Sequence, residues 1–138
     1  MILDVSCVAR VDLLREAALR FRGEERVTPF VEAPGALAFV AVEDAGDVIG
    51  WCWGYHLVRP DAPPMLYLHE LEVAEEHRRD GHGRALLDAF MAAGKAAGAT
   101  KMFLSTARAN EPARRLYEAL GGGLAAQGPT LNYWFLLR

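Results

Sequence analysis

The apolar positions of the chain change period where turn residues fall, and the changes mark out its elements. Ile2 to Val8 reads as a short first strand. Val8, Val11, Leu14, Ala18 and Phe21 then recur at helical spacing. Thr28-Pro29 predicts a second, short helix with Thr28 at its cap and Pro29 at its first position, ended by Pro34-Gly35. Leu37–Val42 and Val48–Val58 read as strands joined by Asp44-Ala45-Gly46-Asp47, a hairpin. Pro60 to Pro64 cannot continue a ladder, and Met65–Val73 is the next strand. Leu86, Leu87, Phe90 and Met91 form one stripe of a helix predicted over Arg84–Ala97, with Gly98 as its C-cap. A strand over Met102–Thr106 follows, then a helix over Pro112–Leu120 stopped by Gly121-Gly122-Gly123. Strands near Leu124–Gln127 and Asn132–Leu137 finish the chain. The order βααβββαβαββ predicts an α/β (α+β) fold, one mixed sheet with helices on both faces.

Composition narrows the picture. The chain has 138 residues, 52% hydrophobic and 24% charged, enough for one packed domain over residues 1–138. The apolar runs are strand-length, so no membrane span is expected. Asp4 stands where a secretory signal needs basic residues, and Cys7 and Cys52 lack metal-like spacing. They read as two buried, reduced thiols of a cytoplasmic protein, and no metal is expected. The net charge of −3 hides a split: residues 1–76 carry 14 acids against 6 arginines, and residues 77–138 carry 4 acids against 9 basic residues. Such a chain suits an anion on its second half and a cation on its first. No part is basic enough throughout to make nucleic acid the expected ligand.

The most informative segment runs from Leu71 through Arg78-Arg79-Asp80-Gly81-His82-Gly83-Arg84 to Leu87: a strand end, a polar turn, Gly-x-Gly, then a helix. Free N–H groups and the positive dipole end of a helix suit a phosphate, and glycine lets the backbone approach it. The Gly-Lys-Ser/Thr of a P-loop is absent. A dinucleotide fingerprint fails too, because Leu86 replaces its third small residue and Lys101 stands near the expected acid. A plain strand-to-helix connection also uses glycine, so Gly-x-Gly alone does not decide.

Arg78-x-x-Gly81-x-Gly83 resembles the Arg/Gln-x-x-Gly-x-Gly/Ala signature of the GNAT superfamily of N-acetyltransferases. Asn110-x-x-Ala113-x-x-Leu116-Tyr117-x-x-x-Gly121 is similar to the second signature of that family, in the same order along the chain. The resemblance implies a GNAT-like domain, with a mixed, mostly antiparallel sheet of about seven strands flanked by about four helices. It implies acetyl-CoA as cosubstrate. The backbone from Arg79 to Arg84 would cradle the pyrophosphate, Leu71, Glu72 and Val73 would pair with the pantetheine arm, and Asn110 would contact that arm. Tyr117 would protonate the departing sulfur. Asn110 as a helix cap and Tyr117 as packing would explain those two residues alone. His82 and Asp80 depart from the usual composition of the turn, and Asp80 puts an acid beside the phosphates.

An aliphatic amine with a pKa near ~10.4 is protonated at neutral pH and must lose a proton before it attacks. The strand Tyr67 to Val73 offers Glu70 as the preferred base, His69 as the second candidate and Glu72 as a substrate anchor. In a regular strand His69 and Glu70 lie on opposite faces, and a bulge would change that. Val48-Ile49-Gly50, the proline-containing loop, Tyr67-x-x-Glu70-Leu71-x-Val73 and Glu76-His77-Arg78-Arg79 are also similar to aminoglycoside 3-N-acetyltransferases. That narrower resemblance implies a small cationic amine as acceptor. A peptide N-terminus is the competing acceptor, and a non-catalytic acyl-CoA sensor is the alternative of a different class. The aromatic row Trp51, Trp53 and Tyr55 lines the acceptor site or packs the core. GNAT proteins often dimerise, and Tyr133 to Leu137 offers apolar surface for a homodimer interface or for finishing the monomer core.

Overall fold

The computed structural model describes residues 1–126, 128 and 130–137. They fall into two compact units, Met1–Ser105 and Thr106–Arg138.

The first unit holds a five-stranded sheet in the order of the chain: β1 (Ile2–Asp4), β2 (Ala36–Val42), β3 (Val48–Leu57), β4 (Met65–Val73) and β5 (Met102–Phe103). The first three pairings are antiparallel and β4 with β5 is parallel, the mixed, mostly antiparallel sheet expected. Two helices, α1 (Val11–Arg22) and α2 (Thr28–Glu32), follow β1, and α3 (His82–Ala96) joins β4 to β5. A 3₁₀ turn over Glu75–His77 precedes α3.

Helices cover both faces of the sheet. On one, α1 lays Leu14, Ala17 and Ala18 against Ala38, Val40 and Val42 of β2. On the other, α3 buries Leu86, Leu87 and Phe90, and Cys52 Sγ meets the Leu86 carbonyl. Gly94 lets α3 settle directly on Leu66. Each fully buried Leu or Phe contributes roughly 1.5–3 kcal/mol, so the two apolar layers hold β3 and β4 from both sides.

The middle of β4 is irregular. Trp53 pairs with Glu70, but Gly54 pairs with Leu68, so His69 has no partner across the ladder. This is a β-bulge. It needs Gly54, because a Cβ there would collide with the Tyr67 carbonyl. Gly54→Val is expected to destabilise the protein by about 3 kcal/mol, read as a lowered midpoint in urea unfolding. An unchanged midpoint would mean that β3 can move away from β4 freely.

The second unit carries α4 (Glu111–Ala119). Its N-cap is Asn110, whose side-chain oxygen accepts the Ala113 N–H at 3.3 Å, and a proline stands in its first turn.

Several expectations need correction. Among the described residues the sheet has five strands, not about seven. Residues 124–126 and 131–137 form no strand, and Gln127 of the expected strand near Leu124–Gln127 lies outside the described residues. Apolar, β-prone side chains make a strand only when a ladder satisfies their backbone, and 131–137 are exposed instead. The first strand ends at Asp4 and the fifth at Phe103, both shorter than expected. Helix α3 begins at His82, two residues before Arg84. Cys7 is exposed, so only Cys52 is a buried thiol, its pKa pushed up to about 12 by burial. No described helix is long and apolar enough to cross a membrane.

Candidate active site

The bulge decides which side chains share a face. Before it, Leu66 and Leu68 of β4 are buried. After it the phase reverses, and Glu70 and Glu72 stand opposite Trp53 and Trp51, on the face that α1 covers. His69 stacks on Trp53 with ring centroids 4.4 Å apart. The structure thus places all three candidate bases, His69, Glu70 and Glu72, on one side of the sheet. The regular-strand expectation for His69 and Glu70 is overturned by the one extra residue.

Glu70 is well enclosed, its side chain 10% exposed. Arg22, in the last turn of α1, donates from Nε to both of its oxygens at 2.9 Å. Trp51 Nε1 donates to Oε2 at 3.1 Å. Hydrogen bonding to Glu70, then the charges of Glu70 and Glu72, hold the Arg22 guanidinium above its ordinary pKa. The Tyr67 hydroxyl and His69 Nδ1 lie 3.0 Å apart, so the imidazole is oriented by a neighbour on its own strand.

Beside these groups lies a cleft of about 220 Å³ between α1, α2 and β3. Phe30, Trp51, Trp53 and Tyr55 give it an aromatic wall, and Arg22 and Glu24 are its charged members. Hydrogen bonds from Arg26 hold the Glu24 carboxyl down to about 2, so it is ionised at neutral pH. The aromatic row has both of the roles weighed for it. Trp51 is buried in the core and stacks with Phe21, while Trp53 and Tyr55 are part-exposed along the wall. Trp53 Nε1 is buried with no hydrogen-bond partner among the described residues. An orphaned donor in a cleft is costly unless something fills the cleft and accepts from it.

The second part of the site is the turn between β4 and α3. Arg78 donates from Nε to the Val73 carbonyl at 3.0 Å, tying the turn to the strand end. Arg79 has φ 70°, the one positive φ among described residues other than glycine, and Gly81 has φ 83°. A left-handed arginine costs roughly 1–2 kcal/mol, a strain that ordinary connections avoid. Gly81 is the N-cap of α3 and makes no side-chain cap, so the first-turn N–H groups at His82, Gly83 and Arg84 are not capped by it. The expected phosphate turn from Arg79 to Arg84 is therefore a helix N-terminus with basic residues around it. Gly81→Val is expected to raise the dissociation constant of acetyl-CoA about tenfold, because a branched residue cannot hold that φ and the helix start must shift. Calorimetric titration would show it; unaltered affinity would mean that the turn does not carry the phosphates.

Leu71, Glu72 and Val73 form the end of β4 that runs into this turn. Asn110 and Tyr117 belong to the second unit, on α4 and its cap, and Asn110 serves there as the helix cap.

The model of the acetyltransferase (GNAT) family matches residues 9–122. The chain belongs to the GNAT family of acetyltransferases. Among curated proteins, the GNAT chain is 33% identical over 108 residues to N-alpha-acetyltransferase 40 of Saccharomyces cerevisiae, covering 70% of this chain and 36% of that protein. The chain thus spans about a third of that relative's length. Solved structures carry the fold. One is an aminoglycoside acetyltransferase from an uncultured soil metagenomic sample in complex with trehalose: TM-score 0.83, 15% identity, 100% of this chain and 96% of that one. Another is aminoglycoside N-acetyltransferase AAC(6′)-Iy in complex with CoA: TM-score 0.76, 19% identity, 99% of this chain and 100% of that one. The GNAT fold read from the two signatures stands, with fewer strands. The aminoglycoside resemblance recurs in these neighbours, one of which is of the 6′ type where the sequence resembles 3-N enzymes.

Arg22 was missed in the sequence. It lies 48 residues from Glu70, and only a helix ending in arginine hinted that α1 brings a cation to the sheet.

Proposed function

We propose that this GNAT acetyltransferase moves an acetyl group from acetyl-CoA to a primary amine of a small cationic molecule, with an aminoglycoside as the leading class. The observation that carries the reading is Glu70: an enclosed carboxylate beside an aromatic cleft, on one face with His69 and Glu72. Acidic groups there attract an ammonium, and Trp53 Nε1 has a donor to offer a hydroxyl or ether oxygen.

In this reading the turn from Arg79 to Arg84 holds the pyrophosphate of acetyl-CoA, and Leu71 to Val73 and Asn110 hold its arm. Glu70, with His69 second, takes the proton from the ammonium. The free amine attacks the thioester carbonyl, the C–S bond breaks, and Tyr117 gives the thiolate its proton. A backbone N–H near Val73 steadies the oxyanion. One acetyltransferase domain is proposed across both units, since the family match runs through them.

A peptide N-terminus is the second reading, favoured by the 33% identity to N-alpha-acetyltransferase 40. The test is release of free CoA thiol with aminoglycosides, polyamines, amino acids and short peptides as acceptors. Turnover with aminoglycosides supports the first reading, and turnover confined to peptides supports the second. Acetyl-CoA binding with no turnover across the panel would overturn both in favour of a sensor.

A further inference from the structure

The turn before α3 also gathers side chains that acetyl transfer does not use. His77, Asp80 and His82 each bring one ligand atom into a group whose members lie within 4.8 Å of one another. The His77 and His82 rings meet edge to face, with centroids 6.2 Å apart. Glu43, in the β2–β3 hairpin, places Oε2 3.6 Å from His77 Nε2. The start of the turn that carries them is anchored twice. Arg78 is tied to Val73, and Arg20 holds Glu76 at 2.6 Å.

Two imidazoles and a carboxylate form a donor set for borderline transition metals, not for calcium or magnesium, which take oxygen. The chain has four histidines. His56 is engaged with the Ala97 carbonyl and His69 is stacked on Trp53, whereas the other two converge on the turn. We propose that His77, Asp80 and His82 form a site for a divalent transition metal of the zinc type, with Glu43 as the carboxylate that orients His77. Metal–ligand bonds of about 2.0–2.2 Å draw the three ligand atoms closer together than they now stand, and the exposed Asp80 side chain is free to turn.

The position gives the metal a consequence, which rests on the assignment of this turn to acetyl-CoA. Asp80 and His82 flank Gly81 at the start of α3. An unpaired Asp80 carboxylate repels phosphates there. A bound dication neutralises it and adds positive charge, so acetyl-CoA binds more tightly to the loaded protein, and the metal more tightly to the acetyl-CoA complex.

The experiment is calorimetric titration of Zn²⁺ into the full chain carrying Cys7→Ser, which removes the exposed thiol as a competitor. Saturable binding to one site is expected. Glu43→Gln is expected to weaken it about 10–100-fold, the usual effect of losing an outer carboxylate. His82→Asn and His77→Ala should weaken it further, and His56→Ala should leave it unchanged. Absence of saturable binding, or full affinity in a His77→Ala/His82→Asn double variant, would overturn the site. Acetyl-CoA is then titrated with and without Zn²⁺. Several-fold tighter binding with zinc, lost in the double variant, supports the coupling; equal or weaker binding overturns it. Failure of acetyl-CoA to bind in either condition would instead overturn the assignment of the turn, while the zinc titration still decides the metal site.

Discussion

Glu70→Gln is expected to lower turnover at pH 7 by about 100-fold or more, the usual range for a lost general base. The loss should shrink near pH 10. An acceptor amine with a pKa near ~10.4 is then increasingly free, and the enzyme no longer needs to remove its proton. Glutamine keeps the size of the side chain and an oxygen for Trp51, so the cleft beside it keeps its shape. It leaves Arg22 without its carboxylate, but that side chain is 60% exposed and water replaces the partner. The measurement is kcat against pH for wild type and variant with one acceptor. An equal loss at both ends of the range would make Glu70 an anchor for the ammonium and not its base. A small loss, with a large one in His69→Gln, would pass the role to His69, which the bulge sets on the same face.

Tyr117→Phe should also lower kcat about 100-fold while leaving acetyl-CoA affinity nearly unchanged. A thiolate leaving group needs a proton as the C–S bond breaks, and phenylalanine keeps the ring but has no proton to give. Because the hydroxyl acts in the transition state, the effect belongs to kcat and not to ground-state binding. Single-turnover rates together with acetyl-CoA titration separate the two. An unchanged rate would remove Tyr117 as the acid, and weakened acetyl-CoA binding at constant kcat would make it a binding residue.

Local pattern carried much of this molecule. The hairpin between β2 and β3, the stripe of α3 and the cap at Asn110 depend on neighbours a few residues away, and each stands where the sequence placed it. What depends on distant partners did not. The strand expected at Asn132–Leu137 was read from apolar composition, yet Tyr133 to Leu137 are each more than three-quarters exposed. The Arg22–Glu70 pair joins a helix end to a strand far along the chain, and no local spacing encodes it. The face of Glu70 was ambiguous because periodicity counts residues and cannot see one that is unpaired. The His77-x-x-Asp80-x-His82 spacing is visible in the sequence, but only the fold brings its three ligand atoms together.

The bulge makes β4 two strands written in one, with opposite parity. In its first half the even-numbered residues Leu66 and Leu68 belong to the apolar interior; in its second half the even-numbered Glu70 and Glu72 belong to the cleft side. His69 is the punctuation between them. Draw that residue into a regular ladder instead, and the two halves can no longer both be read correctly. Either the leucines turn away from α3 or the acids turn into it. The pairing of this strand, counted in single residues, is as much a part of the site as the identity of any side chain on it.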